Sequence, residues 1–289
     1  MYGKRYTEIE EFYSTCYTFL EEHEAENNLI WGILNRLRTN IHAYDPERTP
    51  ELLVVFENEE VVLVSIRTPP YNQIVSYTDK KEAISVLVDF LAERGVDLPG
   101  VLGFKEGALL FAEQWTQKND KTYVLNMNER IYKLTNVNPE IKGTNKFEIA
   151  TEEDLDLLIQ YAQQFVEDAF ANTTPEQIKR GRTQIKRTIK QYAAEKKLYV
   201  LKDQNQIVSM AGAGRETPNS RAITLVYTPP KFRRKGYATE LVAKLCQSIL
   251  NEGKKFCTLF TDLANPTSNK IYMNIGFQPI MDVDEYRFE

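Results

Sequence analysis

Residues 222–240 read AITLVYTPPKFRRKGYATE. The apolar, β-branched run at 223–227 predicts a strand. Thr228-Pro229-Pro230 then ends any regular ladder, because neither proline has an N–H to donate. After Arg233-Arg234-Lys235-Gly236, apolar residues recur at Ala238, Leu241, Val242, Leu245, Cys246 and Ile249. That spacing is one face of a helix. A basic, glycine-bearing turn that opens a helix suits an anion. The first helical N–H groups lack internal partners, and the dipole there is positive. Gly236 has no side chain to block a phosphate approaching the backbone, and Ala238 is small for the same reason. The plainer reading is a solvated Arg/Lys loop before an ordinary helix.

A second segment lies downstream: Asn265-Pro266-Thr267-Ser268-Asn269-Lys270-Ile271-Tyr272, followed by Gly276-Phe277. Arg233-x-x-Gly236-x-Ala238 resembles the Q/R-x-x-G-x-G/A signature of the GNAT superfamily of acyl-CoA N-acyltransferases. The downstream segment resembles that family's N-x-x-S/A-x-x-x-Y…G-F pattern. The resemblance covers the second half of the chain, and the two motifs stand in the family's order.

The resemblance implies acetyl-CoA as cosubstrate and no metal. The backbone of Arg234, Lys235, Gly236, Tyr237, Ala238 and Thr239 is then expected to hold the diphosphate, with Arg233 beside it. Val226, Tyr227 and Thr228 would pair with the pantetheine amides where the sheet splays, and a free N–H there would face the thioester oxygen. Asn265 and Ser268 would flank the pantetheine arm, although Asn265 also reads as a helix cap ahead of Pro266. Tyr272 would protonate the leaving thiolate, as a phenol with a pKa of about 10 is protonated at neutral pH. Its alternative role is a packed aromatic beside Phe277.

The general base is not legible. Both histidines, His23 and His42, lie in the first half. Glu167 and Asp168 are carboxylate candidates near the end of a helix, and Glu216 and Asp262 are weaker ones.

Charge and composition fit this reading. The 289 residues carry a formal net charge of -5, but the first 144 hold 15 Lys+Arg against 23 Asp+Glu. The remainder is net basic and more hospitable to a polyanionic cofactor. The bias is too small for a nucleic-acid partner. No apolar run approaches a membrane span, and the start has no apolar signal region. Three scattered cysteines (Cys16, Cys246, Cys257) suggest a reducing compartment, hence a cytoplasmic protein.

Outward from the opening stretch, the pattern of elements recurs. In the first half, 1–7 reads as a lead-in and 8–42 as one or two helices. Strands follow at 52–57, 61–67 and 73–77, a helix at 80–94, a strand at 101–104, a helix at 106–117 and a strand-rich segment at 121–134. The polar stretch NVNPEIKGTN (136–145) reads as a linker. The second half restarts with a strand at 147–150 and a helix whose stripe runs from Leu155 to Phe170. A basic helix follows at 175–196, then strands at 198–202, 207–215 and 221–227. The remainder is the phosphate-loop helix, a strand at 255–261, a helix at 266–274 and a terminal strand pair in 276–288.

The expected fold is therefore α/β (α+β): two tandem GNAT-like domains, each a mixed, mostly antiparallel sheet flanked by helices. Residues 1–138 would form a degenerate copy without the CoA loop, since YTDKKEAIS stands where the second copy has TPPKFRRKGYATE. Residues 145–289 would form the acyltransferase domain, in a layout that resembles the tandem and glycine-N-acyltransferase-like members of the superfamily. It is expected to move an acetyl group from acetyl-CoA to a primary amine of a small molecule, and a homodimer is compatible with this reading. The alternative is a non-catalytic acyl-CoA-binding regulatory protein. A nucleotide-binding domain is a third reading, but no G-x-x-x-x-G-K-S/T or G-x-G-x-x-G motif supports it.

Overall fold

The computed structural model describes residues 1–169 and 175–289. The first half runs β1 (Tyr2–Tyr6), α1 (Ile9–Glu22), α2 (Asn28–Thr39), β2 (Glu51–Glu57), β3 (Glu60–Arg67), β4 (Gln73–Val75), α3 (Glu82–Glu93), β5 (Gly100–Phe104), α4 (Lys105–Asn119) and β6 (Tyr123–Leu134). The second half runs β7 (Lys146–Ile149), α5 (Leu155–Ala169), α6 (Pro175–Ala194), β8 (Leu198–Asp203), β9 (Gln206–Glu216), β10 (Ser220–Tyr227), α7 (Tyr237–Asn251), β11 (Phe256–Asp262), α8 (Pro266–Ile275) and β12 (Gln278–Phe288).

The twelve strands among the described residues form one sheet, in the order β1-β2-β3-β4-β5-β12-β6-β11-β10-β9-β8-β7. The ladder pattern occurs twice. Strands β1 to β4 pair antiparallel in sequence, and β4 pairs parallel with β5. Strands β7 to β10 do the same, and β10 pairs parallel with β11. Each series ends on a strand from the other half. The C-terminal β12 pairs with β5, while β6 pairs with β11, and β6 and β12 pair with each other.

Two sequence expectations are corrected here. The first seven residues are more than a lead-in, because Tyr2–Tyr6 pairs residue for residue with β2. The segment is too short and polar to show a period, and its strand character comes from the edge it completes. The expected terminal strand pair is a single long strand, β12. It needs no hairpin partner because β5 and β6 already flank it. Phe170, placed on the α5 stripe from sequence, lies outside the described residues.

Helices cover both faces, giving one core cluster per half on each side. Helices α3 and α4 cover one face of the first half, and α7 and α8 cover one face of the second. Helices α1 and α2 cover the opposite face of the first half, where α5 and α6 cover that of the second. Exchange makes these cores interdependent. Tyr286 and Phe288 of β12 are buried among α3 and α4, and Tyr132 and Leu134 of β6 among α7 and α8. Each such burial contributes about 1.5–3 kcal/mol. The β6–β12 register is also fixed by side chains. Arg130 grips Asp282 with Nε–Oδ1 at 2.6 Å and Nη2–Oδ2 at 3.0 Å. That guanidinium holds the Asp282 carboxyl below its ordinary pKa.

Two further carboxylates fasten segments that carry no regular structure. Glu240, in the first turn of α7, accepts from Asn145 N (2.9 Å) and Asn145 Nδ2 (2.6 Å) and pairs with Lys244. A side chain on Gly143 would strike that carboxylate, so the connecting segment needs glycine there. Glu24, between α1 and α2, is 6% exposed. It accepts from Asn219 N (2.7 Å), Asn219 Nδ2 (2.6 Å) and Thr217 Oγ1, all in the β9–β10 turn. Glu24→Ala leaves those buried donors unpaired and is expected to cost about 1–3 kcal/mol. A urea midpoint equal to that of the unaltered protein would show that the clamp contributes nothing.

Candidate functional site

The site begins where β10 and β11 part. Their parallel pairing covers only Ser220–Phe256, Arg221–Cys257 and Ala222–Thr258. Beyond it, β10 stays with β9 while β11 stays with β6. A wedge opens between residues 223–227 and 259–262, whose facing backbone edges have no strand partner. The register of β10 against β9 shifts between Thr224 and Tyr227, and Leu225 has φ +54°. This bulge bends β10 away from β11. Ser209 Oγ secures the end of β10 by donating to Tyr227 O (3.1 Å) and sits 2.9 Å from Thr228 Oγ1. The Tyr227 side chain is buried against α5, so at this position only the backbone faces the wedge.

The chain leaves β10 through Thr228-Pro229-Pro230 and reaches Gly236 at φ +82°, with α7 starting at Tyr237. No side chain caps that helix N-terminus. Space around Gly236 is open, so it is the left-handed backbone that favours glycine there. Arg234 and Lys235 are exposed, with no hydrogen-bond or ion-pair partner among the described residues. Arg233 differs from them. Its Nε donates to Thr228 O (2.9 Å) and its Nη2 pairs with Asp168, so it braces the turn. Tyr237 donates its hydroxyl to Asp203. A groove lined by Thr239 of α7 and Pro266, Thr267, Lys270, Ile271 and Asn274 of α8 continues from this point.

Asn265 accepts from Ser268 N at 3.1 Å and caps α8. Tyr272 is 9% exposed, edge-on to Phe277 at 6.0 Å between centroids. Burial pushes its phenol well above the ordinary value, and Cys246 adds to this. Tyr272 therefore stays protonated through the physiological range. Asn265 is thus a helix cap and Tyr272 a packed ring.

The carboxylates singled out from sequence are already engaged. Glu167 pairs with Arg182, Asp168 with Arg233, and Glu216 with Lys254 at 3.0 Å. Asp262 Oδ1 accepts from Ala264 N at 2.7 Å in the turn after β11. A different group stands out. Glu129 of β6 lies opposite Asp262 of β11 and Val283 of β12. It makes no hydrogen bond or ion pair among the described residues, and its carboxyl is raised. Burial is the main cause, Glu285 and Asp262 add to it, and Arg215 opposes it. Glu129 escaped the sequence reading because it belongs to the first half, inside an ordinary strand pattern.

The equivalent wedge in the first half is closed. Strands β4 and β5 pair at Gln73–Val101 and Ile74–Leu102 only. Beyond them, Asn27 Oδ1 accepts from Tyr77 N at 3.0 Å. The Tyr77 ring packs edge-on to Phe104 at 5.5 Å and against His23 at 4.7 Å. Helix α3 begins with Glu82 in its first turn, which places negative charge at the dipole's positive end.

Known proteins share this architecture. The whole chain superimposes on an acetyltransferase of the GNAT family from Colwellia psychrerythraea, covering 100% of both chains with a TM-score of 0.57 and 10% identity. A Drosophila protein of known structure aligns over 99% of this chain and 98% of its own, with a TM-score of 0.65 and 12% identity. A GCN5-related N-acetyltransferase from Sphaerobacter thermophilus aligns over 88% and 84%, with a TM-score of 0.53 and 15% identity. The fold is that of the GNAT superfamily. Residues 203–288, from the end of β8 through β12, match the model of the FR47-like protein family. No curated protein matched the chain by sequence.

The Asn265 cap can be tested without a ligand. Asn265→Ala is expected to lower stability by about 0.5–2 kcal/mol through loss of the α8 cap. An unchanged thermal midpoint would show that the cap contributes nothing to stability.

Proposed function

We propose that the chain is two GNAT-like copies, 1–138 and 145–289, of which the second transfers an acetyl group from acetyl-CoA to a primary amine of a small molecule. The observation that carries this reading is the open wedge between β10 and β11, which leads from the uncapped N-terminus of α7. The wedge turns the β10 backbone from Val226 to Thr228 toward the pantetheine amides, with Tyr227 O and Thr228 O also accepting from Ser209 Oγ and Arg233 Nε. The first turn, from Gly236 to Thr239, offers N–H groups to the diphosphate, with Arg234 and Lys235 supplying charge. Arg233 supports the same turn indirectly, by bracing it.

In the reaction, the amine nitrogen forms a bond to the thioester carbon and the carbon–sulfur bond breaks. The departing thiolate takes a proton from Tyr272. The ammonium sheds two protons in becoming the amide: the first goes to Glu129, directly or through water, and frees the nitrogen to attack, and the second, shed after attack, restores Tyr272. A carboxylate raised by burial is a stronger base than an exposed one. The first copy contributes this base through the exchanged strand and keeps its own wedge shut.

Calorimetric titration with acetyl-CoA is expected to show one site per chain, lost in Gly236→Glu. Two sites per chain would contradict the closed first wedge, and no binding would remove the acyltransferase reading. Once an acceptor is in hand, Tyr272→Phe is expected to lower kcat more than it changes the KM for acetyl-CoA. Glu129→Gln should lower kcat/KM about 10²–10⁴-fold. It should also erase an acid limb that, in the unaltered enzyme, rises with pH through a pKa above the ordinary carboxylate value. An unchanged acid limb in Glu129→Gln would assign the base elsewhere.

A further inference from the structure

Arg215 is the extra residue of a bulge in β9. Arg221 pairs with Glu216, Ala222 pairs with Gly214, and Arg215 is passed over at φ +39°. A positive φ at a non-glycine residue is strained and calls for a reason. Bulges of this kind re-aim side chains. Here the guanidinium lies over the Phe260 ring, 4.7 Å from its centroid. Phe260 belongs to β11, and β10 stands between β9 and β11. The Arg215 side chain therefore crosses β10 to reach the ring. At that level β10 carries the small Ala222, opposite Gly214. Helix α2 leaves room as well, since a side chain on Gly32 would strike the Arg215 stem at 2.7 Å.

The guanidinium so placed is unpaired. Arg215 makes no ion pair or hydrogen bond among the described residues, and its Nε is sealed from solvent without a partner. A cation over a ring is held by the ring's quadrupole, which supplies no acceptor atom for the N–H groups. Buried donors carry a desolvation penalty unless something accepts from them. The fork of a guanidinium receives a carboxylate through two parallel hydrogen bonds.

The strand register shows which part of a ligand meets it. Ile223, Cys257 and Leu259 are buried under α7 and α8. By alternation, Ala222, Thr258 and Phe260 face the other way, toward α2 and α6. The wedge closes at Ala222–Thr258, the last paired residues, and opens toward Thr228, where the chain leaves for Gly236. A cofactor with its diphosphate at the first turn of α7 and its pantetheine along 226–228 enters by the open end. Its acyl group is then the part directed at the closed end. Phe260 is two residues beyond Thr258, so Arg215 stands at the acyl end. Asp262 is two residues further out and pairs with Glu129. The floor of the wedge thus carries its cation toward the closed end and its carboxylates toward the open one. An acyl group ending in a carboxylate suits the first, and the ammonium of an acceptor suits the second.

Building on the acyltransferase reading, we propose a further activity of the same site: it takes CoA half-thioesters of short dicarboxylic acids, of the malonyl and succinyl class, with the free carboxylate held by Arg215. The bonds made and broken are those of acetyl transfer. The amine nitrogen joins the thioester carbon, the carbon–sulfur bond breaks, and the protons move as they do for acetyl. The product is an amide that ends in a free carboxylate. Arg215 then sets acyl specificity, and the strained bulge serves to aim it.

Calorimetric titration tests this without an acceptor. Malonyl-CoA is compared with isovaleryl-CoA, and succinyl-CoA with isocaproyl-CoA, pairs matched in shape and differing in the carboxylate. The charged member of at least one pair is expected to bind about 10–150-fold more tightly, the range for a hydrogen bond to a charged group. Arg215→Gln should abolish that preference and still bind acetyl-CoA, which has no group for Arg215 to hold and so reports that the site remains folded. Arg215→Lys keeps the charge, loses the fork, and should show a preference between the two. Equal or weaker binding of both charged members by the unaltered protein overturns the proposal whatever the variants do, and with acetyl-CoA bound it leaves the acyltransferase reading standing. A preference that survives in Arg215→Gln overturns the assignment to Arg215. Absence of binding of acetyl-CoA and of all the other thioesters by the unaltered protein sinks both readings.

Discussion

The antiparallel ladder between β6 and β12 is the constraint on which the rest depends. Each of these strands is the last of its own half, and each is seated in the other half's sheet. Sheet edges left open by β5 and β11 would expose unpaired backbone groups, and exchange covers both at once. The Arg130–Asp282 fork and the half-buried Asn128–Asp284 contact hold the two strands in a single register. A slip by one residue would turn Tyr132 and Tyr286 out of their cores and Glu129 away from its cleft. Stability, register and the placement of a candidate catalytic group are thus set by the same strand pair.

The exchange also explains why two similar halves can differ in what they bind. Both halves contain a parallel strand pair that parts after two or three residues. In the second half the wedge leads to an uncapped helix N-terminus behind Gly236. In the first half, Asn27 occupies the backbone donor of Tyr77, aromatic rings fill the gap, and Glu82 sits at the helix start. Helix α2 packs across the centre of the molecule, where Gly32 meets Arg215, and Glu24 just before it clamps the β9–β10 turn. The first half therefore serves as a wall of the cleft that the second half opens.

Much of this was legible along the chain. The strand before Thr228, the turn to Gly236 and the helix stripe from Ala238 to Ile249 stand where periodicity and glycine placement put them, because each is encoded by neighbours within a few residues. Asn265 before Pro266 signalled a cap, and it is one. Strand β1 was missed because its five residues show no pattern of their own. Arg233 reads from sequence as an anion ligand, while its side chain braces Thr228 and Asp168. Its side-chain partners lie on other segments of the chain, which spacing cannot reveal.

The sequence by itself determined the local pieces: a splaying strand, a basic turn ending in glycine, a capped helix bearing Tyr272, and a first half without the turn. Those features depend on hydrogen bonds and dihedral preferences spanning a few residues. Only the tertiary structure decided which strand completes which sheet, and with it the meeting of Glu129, Asp262, Glu285 and Arg215 from four different strands. Their encounter depends on register between strands up to about 160 residues apart in the chain, such as Glu129 and Glu285. Side-chain pairing across a sheet is set by burial on both faces at once. No periodicity within either segment carries that information.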